Sequence, residues 1–311
     1  MKESFVSDLD FITELKSYTV TEQITEGCSG DKKYKLEKNG KYYLLRVGNQ
    51  AKAAERKKEF DRLRMYADTD INTHRPISFG TTADRFFSIV SWVAGTPVMD
   101  MIKKDVSNDY YGLGRKVGME LRKLHLAGET DEGKDWRGII EEKAAAFLEN
   151  YHYRKAEILG GSHGEQYIRE NMYLMEDRPL TVLHGDFHWN NCVVDEKGNV
   201  GIIDFSGSET GDPWYDFGGL LWAMEYSDSF AIGQIDGYFD TPPDIFWPVF
   251  KFYVALYAFE HLTYCNGTPE DMQIKIVNAS RMLGIFGKDF TLEQPLFRIK
   301  GRKPCTANEI C

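Results

Sequence analysis

No run of apolar residues in this 311-residue chain approaches the roughly 20 needed to cross a bilayer, and the opening stretch MKESFVSDLDFITELK is charged throughout. Neither secretion nor membrane insertion is expected. Cysteine is scarce: Cys28, Cys192, Cys265, Cys305 and Cys311 are odd in number, scattered, and nowhere form a CxxC pair. That argues against a disulfide framework and for a reducing, cytoplasmic setting. Positive charge is short as well, with 38 Lys and Arg against 48 Asp and Glu and a net charge of −10. Phosphate backbones are bound by clustered basic residues, so no nucleic-acid partner is expected. The acidic balance suits a cationic small substrate, and equally suits plain solubility. Internal repeats and low-complexity segments are lacking too. What remains is 42% hydrophobic residues, enough for one large domain or two lobes.

The first ninety or so residues read mostly as strands. YKLEKNGKYYLLRV, from Tyr34 to Val47, alternates around Asn39-Gly40, a strong hairpin signal. NQAKAAERKKEFDRLRMYADTD follows, with Ala54, Phe60, Leu63 and Tyr66 at helical spacing. RPISFGTT and RFFSIVSWV suggest a second strand pair, and Gly95 and Pro97 break the pattern where a lobe boundary is expected. Beyond it the chain turns helical. Leu113, Val117, Leu121 and Leu124 mark one helix stopping at Gly128, and further helices are expected over Ile139–Leu159 and Glu165–Met175. Short strands are expected at Leu180–Leu183, Cys192–Asp195 and Asn199–Ile203. Helices resume from Trp214, and FWPVFKFYVALYAFEHLTYC is so aromatic that it must face a core.

TVLHGDFHWNNCVVDEKGNVGIIDFSG, residues 181 to 207, sets polar groups between two apolar strands. Asp186, Asn191 and Asp204 have a spacing that can converge on one bound nucleotide. Phosphoryl transfer needs a carboxylate to orient and deprotonate the attacking hydroxyl, and oxygen ligands to hold magnesium on the phosphates. Asp186 suits the first task, Asn191 and Asp204 the second. Plain alternatives exist: Asp186 and Asn191 as turn residues, Asp204 as a strand-end cap. His184, His188 and Cys192, at i, i+4, i+8, would form a soft metal site only on a helix, which Gly185, Asn190-Asn191 and the β-branched flanks disfavour.

From His184 to Asp204 the chain resembles the HGDxxxxN and IIDF blocks of the aminoglycoside phosphotransferase family, relatives of choline kinases and more distantly of protein kinases. The resemblance covers roughly residues 20 to 290. It implies an α+β, bilobal protein-kinase-like fold. The small antiparallel-sheet lobe with one main helix would span 1–94, with a hinge near 91–95. A larger, mainly helical lobe would span 95–299, before a frayed tail at 300–311. It further implies ATP or GTP and Mg2+ as cofactors and a small-molecule acceptor. ITEGCSGDKKYKL looks like the nucleotide loop, with Gly27, Ser29 and Gly30 as close-approach positions. The kinase lysine is replaced by Arg46 in YYLLRV, and its implied carboxylate partner is Glu59, with Glu55 as the alternative. Ser91, Trp92 and Val93 match the linker whose main chain holds the base. GDPWYDFGGLLW resembles the block in which Asp212 and Asp216 steady the catalytic loop, and Asp212 is also a natural N-cap before Pro213.

The resemblance also implies an acidic acceptor surface, for which Glu209, Glu225, Asp228 and Glu260 are the candidates. The late aromatic helices could equally hold a choline-like cation through ring faces, or a macrolide. The expected reaction is phosphoryl transfer to a hydroxyl of an aminoglycoside or similar compound. The alternatives are a choline, sugar or macrolide kinase, or a non-catalytic kinase-fold binding module suggested by the missing lysine.

Overall fold

The computed structural model describes residues 9–25, 30–128, 130 and 133–299. Within them the chain divides into two units, one running up to Gly95 together with Gly201–Ser206, the other comprising Thr96–Val200 and the residues from Gly207 onward. The expectations for Gly27, Ser29 and the tail from residue 300 fall outside the described residues.

The first unit is built on β1 (Thr19–Ile24), β2 (Lys32–Lys38), β3 (Lys41–Asn49), β4 (Pro76–Thr81) and β5 (Arg85–Ser91). Their order is β1-β2-β3-β5-β4, and every neighbouring pair is antiparallel. The β2–β3 hairpin closes on Asn39 and Gly40, both left-handed at φ 53° and 73°. Two positive φ values in succession give the turn a twist that matches the strands. Alternate residues then share a face: Tyr34, Leu36, Leu45, Val47, Phe87 and Ile89 form one buried core with Leu9 and Ile12.

Helix α1 (Ala53–Arg62) packs on β4 and β5, with Phe60 against Phe79 at 5.6 Å between ring centres. It is shorter than the amphipathic pattern suggested. Tighter turns flank it at Gln50–Lys52 and Leu63–Tyr66, and the Asn49 side chain caps the first by accepting from Ala51 N–H at 2.8 Å. Its buried stripe runs through Ala53, Arg56 and Phe60, so Ala53 rather than the expected Ala54 faces inward. Arginine can occupy that stripe because carboxylates receive its guanidinium.

The second unit opens with β6 (Thr96–Pro97), α2 (Val98–Lys104), α3 (Tyr111–Ala127), α4 (Trp136–Arg154) and α5 (Gly161–Glu170). Then come β7 (Thr181–Val182), β8 (Cys192–Val194) and β10 (Thr210–Gly211), while β9 (Val200–Ile202) starts here at Val200 and runs on into the Gly201–Ser206 segment of the first unit. It closes with α6 (Leu220–Met224), α7 (Asp228–Phe239), α8 (Phe246–Glu260), α9 (Pro269–Gly284) and α10 (Leu296–Ile299). The helix expected over 139–159 begins earlier, at Trp136, and ends at Arg154, where Lys155 turns left-handed at φ 50°. The next begins at Gly161 after a left-handed Gly160, not at Glu165, and a tight turn over Met172–Met175 follows it.

Helix α8 is buried on nearly every side from Phe246 to Phe259, and apolar apart from Lys251. Helices α3 and α7 meet backbone to backbone. A Cβ at Gly118 would lie 2.0 Å from the Gln234 carbonyl oxygen, and one at Gly237 would lie 2.1 Å from that of Arg115. Gly114-x-x-x-Gly118 and Gly233-x-x-x-Gly237 are therefore two reciprocal small-residue faces. Strands β7 and β10 pair antiparallel beside the end of α3, with Val182 opposite Thr210 and Val182 N–H donating to the Gly128 carbonyl. This pairing fixes the start of the loop that carries His184 to Asn191.

Candidate active site

The loop after β7 is anchored on Asp216, a side chain 1% exposed. Its Oδ2 accepts from His184 N–H at 2.8 Å and its Oδ1 from Gly185 N–H at 2.9 Å. His125 Nε2 lies 3.0 Å from Oδ2, and the Tyr238 hydroxyl lies 3.0 Å from His125 Nδ1. A carboxylate facing Nε2 favours the tautomer in which Nε2 carries the proton and Nδ1 accepts from Tyr238. Gly185 sits at φ 79°, and a Cβ there would lie 1.8 Å from the Gly207 carbonyl oxygen. Only glycine fits both the backbone angle and the space. Asp212, fully buried, caps the next turn through Trp214 N–H at 3.0 Å and receives Arg178 and the Tyr253 hydroxyl.

This frame leaves Asp186 at the surface. Its side chain is 54% exposed, with Oδ1 3.4 Å from His188 Nε2. His188 Nδ1 accepts from Asn190 N–H at 3.2 Å, which puts the ring proton on the Nε2 that faces Asp186. His184 Nδ1 accepts from Asp186 N–H at 3.3 Å, so His184 positions the loop. Asn191 Nδ2 donates to the Asp186 carbonyl at 2.9 Å and its carboxylate at 3.3 Å, which leaves the amide oxygen pointing elsewhere. His184, His188 and Cys192 share no helical face: the stretch is loop, one tight turn at Trp189–Asn191, then strand. Burial also pushes the Cys192 thiol up, away from the thiolate a metal would need.

The first unit carries the second group. Arg46 on β3 is buried and holds both Glu59 oxygens, at 2.8 and 3.0 Å, through one nitrogen. Its other terminal nitrogen lies 3.5 Å from Asp204 Oδ1. Glu59 also receives Arg56 at 3.1 Å, and Arg56 reaches Asp31 at 3.0 Å, so charges alternate along Asp31–Arg56–Glu59–Arg46–Asp204. Glu55 is exposed and, among the described residues, pairs with Arg56 alone, at 3.5 Å. Asp204 comes to this unit because Ile202 N–H donates to the Asn72 carbonyl and the Ile202 carbonyl accepts from the Thr73 hydroxyl at 2.7 Å. It sits left-handed at φ 63°, a conformation that aspartate tolerates better than most side chains. Beside Arg46, His74 is pushed down to about 4 by burial and, secondarily, by that guanidinium.

The linker residues already carry main-chain bonds of their own. Ser91 N–H is committed to the Arg75 carbonyl and its own carbonyl receives His74, while Trp92 N–H is committed to Tyr42. The Trp92 carbonyl and the Val93 main-chain groups are bonded to no other described residue. Gly30 stands at φ 70°, directly before the buried Asp31.

The four acidic candidates do not form one group. Glu209 and Glu260 do come together: the Glu260 carboxyl is pushed up by burial first and, in smaller part, by the nearby Glu209 charge. The Tyr264 hydroxyl donates to Glu260 Oε1 at 2.9 Å. It is itself pushed up by burial, then by Glu260, and in smaller part by Asp186, which ties this cluster to the loop. Glu225 instead pairs with Arg281 at 2.8 Å, and Asp228 is buried in the first turn of α7 behind the Ser227 cap. Several contributors were not foreseen: Asp31, Arg56, His125 and Lys143. Arg56 alone left a sequence signal, three residues before Glu59 on a helix.

An antiparallel five-stranded unit with one main helix, followed by a mainly helical unit with an HGD loop, is a protein-kinase-like α+β fold. Solved structures agree. APH(4)-Ia aminoglycoside phosphotransferase, in ternary complex with ADP and hygromycin B, aligns with a TM-score of 0.64 at 16% identity, covering 88% of this chain and 96% of that one. Spectinomycin phosphotransferase APH(9)-Ia, in complex with ADP and spectinomycin, aligns at 0.58 and 14% identity over 92% and 98%. Choline kinase LicA from Streptococcus pneumoniae aligns at 0.57 and 12% identity over 90% and 98%. A search of curated proteins found no match. The phosphotransferase enzyme family model matches residues 20–247, and the chain belongs to that family. It is therefore a phosphotransferase, and no helix among the described residues is long and apolar enough to cross a membrane.

Proposed function

We propose that this phosphotransferase moves the terminal phosphoryl group of ATP or GTP to a hydroxyl of a small amino-bearing molecule, an aminoglycoside in the first instance. The observation that carries the reading is the Asp186 carboxylate, exposed at its tip on a loop whose backbone is tied to the buried Asp216. Asp186 takes the proton of the acceptor hydroxyl as its oxygen bonds to phosphorus and the bond to the bridging oxygen breaks, releasing the nucleoside diphosphate. A fixed carboxylate contributes mostly by orientation.

Magnesium would be held by Asn191 and Asp204, hard oxygen donors of the type that ion takes one or two at a time, the rest coming from phosphates and water. The Asn191 amide fits this role because its nitrogen is anchored on Asp186 and its oxygen is left to accept a cation. When bound, the ion neutralises phosphate charge. Arg46, oriented by Glu59, serves the phosphates in place of lysine, and the main chain of Ser91, Trp92 and Val93 serves the base. Nucleotide use is supported by the ADP and AMP-PNP complexes of the structural neighbours.

A choline-type acceptor is the second reading. It is supported by the structural likeness to choline kinase LicA. Nucleotide turnover by the purified chain with magnesium, tested against aminoglycosides, macrolides, choline and sugars, separates the readings. Stimulation by one acceptor, lost in Asp186→Asn, is expected. Nucleotide binding without stimulation by any of them would favour a non-catalytic binding module.

A further inference from the structure

Lys143 on α4 stands in the cluster that leads to Asp186. Its Nζ lies 3.0 Å from Glu209 Oε1, 4.8 Å from the centre of the Tyr215 ring and 5.9 Å from that of Trp136. One carboxylate and two ring faces around an ammonium make the environment in which proteins hold cationic ligands. Here the chain fills it with its own side chain. The cluster adjoins the HGD loop at two points. The Glu209 carbonyl accepts from Leu183 N–H at 2.7 Å, and Tyr264 links Glu260 to the field of Asp186. Glu260 lies within the electrostatic reach of both Lys143 and Glu209, and its Oε2 is buried without a partner among the described residues.

We infer that Lys143 is a specificity residue. By occupying the cation position at Glu209, it leaves Glu260 to receive a single ammonium group and turns away acceptors that bring many. The acceptor is then a molecule of low positive charge, a mono- or diamine rather than a polyamine. The inference rests on the phosphotransferase reading for the term acceptor, while the cation position itself can be measured without turnover. Glu225 and Asp228 do not add to this surface, the one being neutralised by Arg281 and the other buried in α7.

The test is calorimetric titration of the full chain, without nucleotide, with choline and with the tetracation spermine at low and high salt. Wild type is compared with Lys143→Met and Lys143→Arg. Methionine keeps an apolar stem over Tyr215 and Trp136 while removing the charge, and Lys143 is partly exposed, so folding is retained. Spermine is expected to bind Lys143→Met about tenfold more tightly than wild type at low salt, because the freed Glu209 attracts a second ammonium. That gain fades at high salt, the gain for choline is smaller, and Lys143→Arg behaves as wild type. No gain for spermine, or equal gains for spermine and choline, would overturn the inference. Failure of the phosphotransferase reading shows elsewhere, as wild-type nucleotide turnover that no acceptor stimulates, and leaves this binding comparison intact.

Discussion

Replacing Asp216 by asparagine changes one atom in the interior and should disable the loop that presents Asp186. The carboxylate receives His184 N–H and His125 on one oxygen and Gly185 N–H on the other, at 2.8, 3.0 and 2.9 Å. An asparagine can accept at one end only. With its oxygen toward His184 and His125, its amide group confronts Gly185 N–H, donor against donor. Turned the other way, the amide group confronts His184 N–H, and a tautomer change at His125 relieves only the remaining contact. Either way a buried N–H is orphaned, at about 1–3 kcal/mol, and charge-assisted bonds become neutral ones. A loss of about 2–4 kcal/mol in urea unfolding is expected. Turnover should fall further than the folded fraction does, because small misplacements of a catalytic group cost on the order of a hundredfold. Equal urea midpoints and equal turnover in the two proteins would refute the idea that Asp216 sets the loop.

Two further perturbations test the fold and its pH response. Gly118→Leu places a side chain where the Gln234 carbonyl already stands, so unfolding free energy should drop by roughly 3 kcal/mol or more. Gly112→Ala, on the same helix with open space around it, should be neutral or raise stability by up to ~1 kcal/mol. Equal urea midpoints for the two variants would refute the close approach. His74 is pushed down to about 4 from an ordinary 6.5. The unfolded chain therefore takes up a proton that the folded chain refuses, and stability complete above pH 6.5 is lost as pH falls toward 4, by about 3 kcal/mol. His74→Gln should flatten that stretch of the profile of urea midpoint against pH; an unchanged slope would show that His74 is not the group responsible.

The hairpin at Asn39-Gly40, the aromatic α8 and the Asp212 cap were legible because each depends on local chemistry: turn angles, apolarity on nearly every side, a short side chain before proline. Arg46 and Glu59 were legible only through the family pattern, since nothing local links a strand residue to a helix residue thirteen positions on. Their extension through Arg56 to Asp31 was not, because a buried arginine reads as surface until its partners are known. The same holds for His125 and Lys143, each set beside its site by tertiary packing alone. The α3–α7 glycine faces were present as letters, but glycine four apart on a soluble helix normally reads as weak helix, and only the partner helix reveals its use. The boundaries of α4 and α5 slipped for a related reason: a lysine, not a glycine, makes the left-handed turn that ends α4.

The most direct test of the central claim is transfer of labelled terminal phosphoryl from ATP, and from GTP, to an acceptor by wild type and Asp186→Asn, with nucleotide affinity measured on the same samples. The account predicts acceptor-dependent transfer in wild type and its loss by at least about a hundredfold in the variant, with nucleotide affinity retained. Undiminished transfer by Asp186→Asn would contradict it.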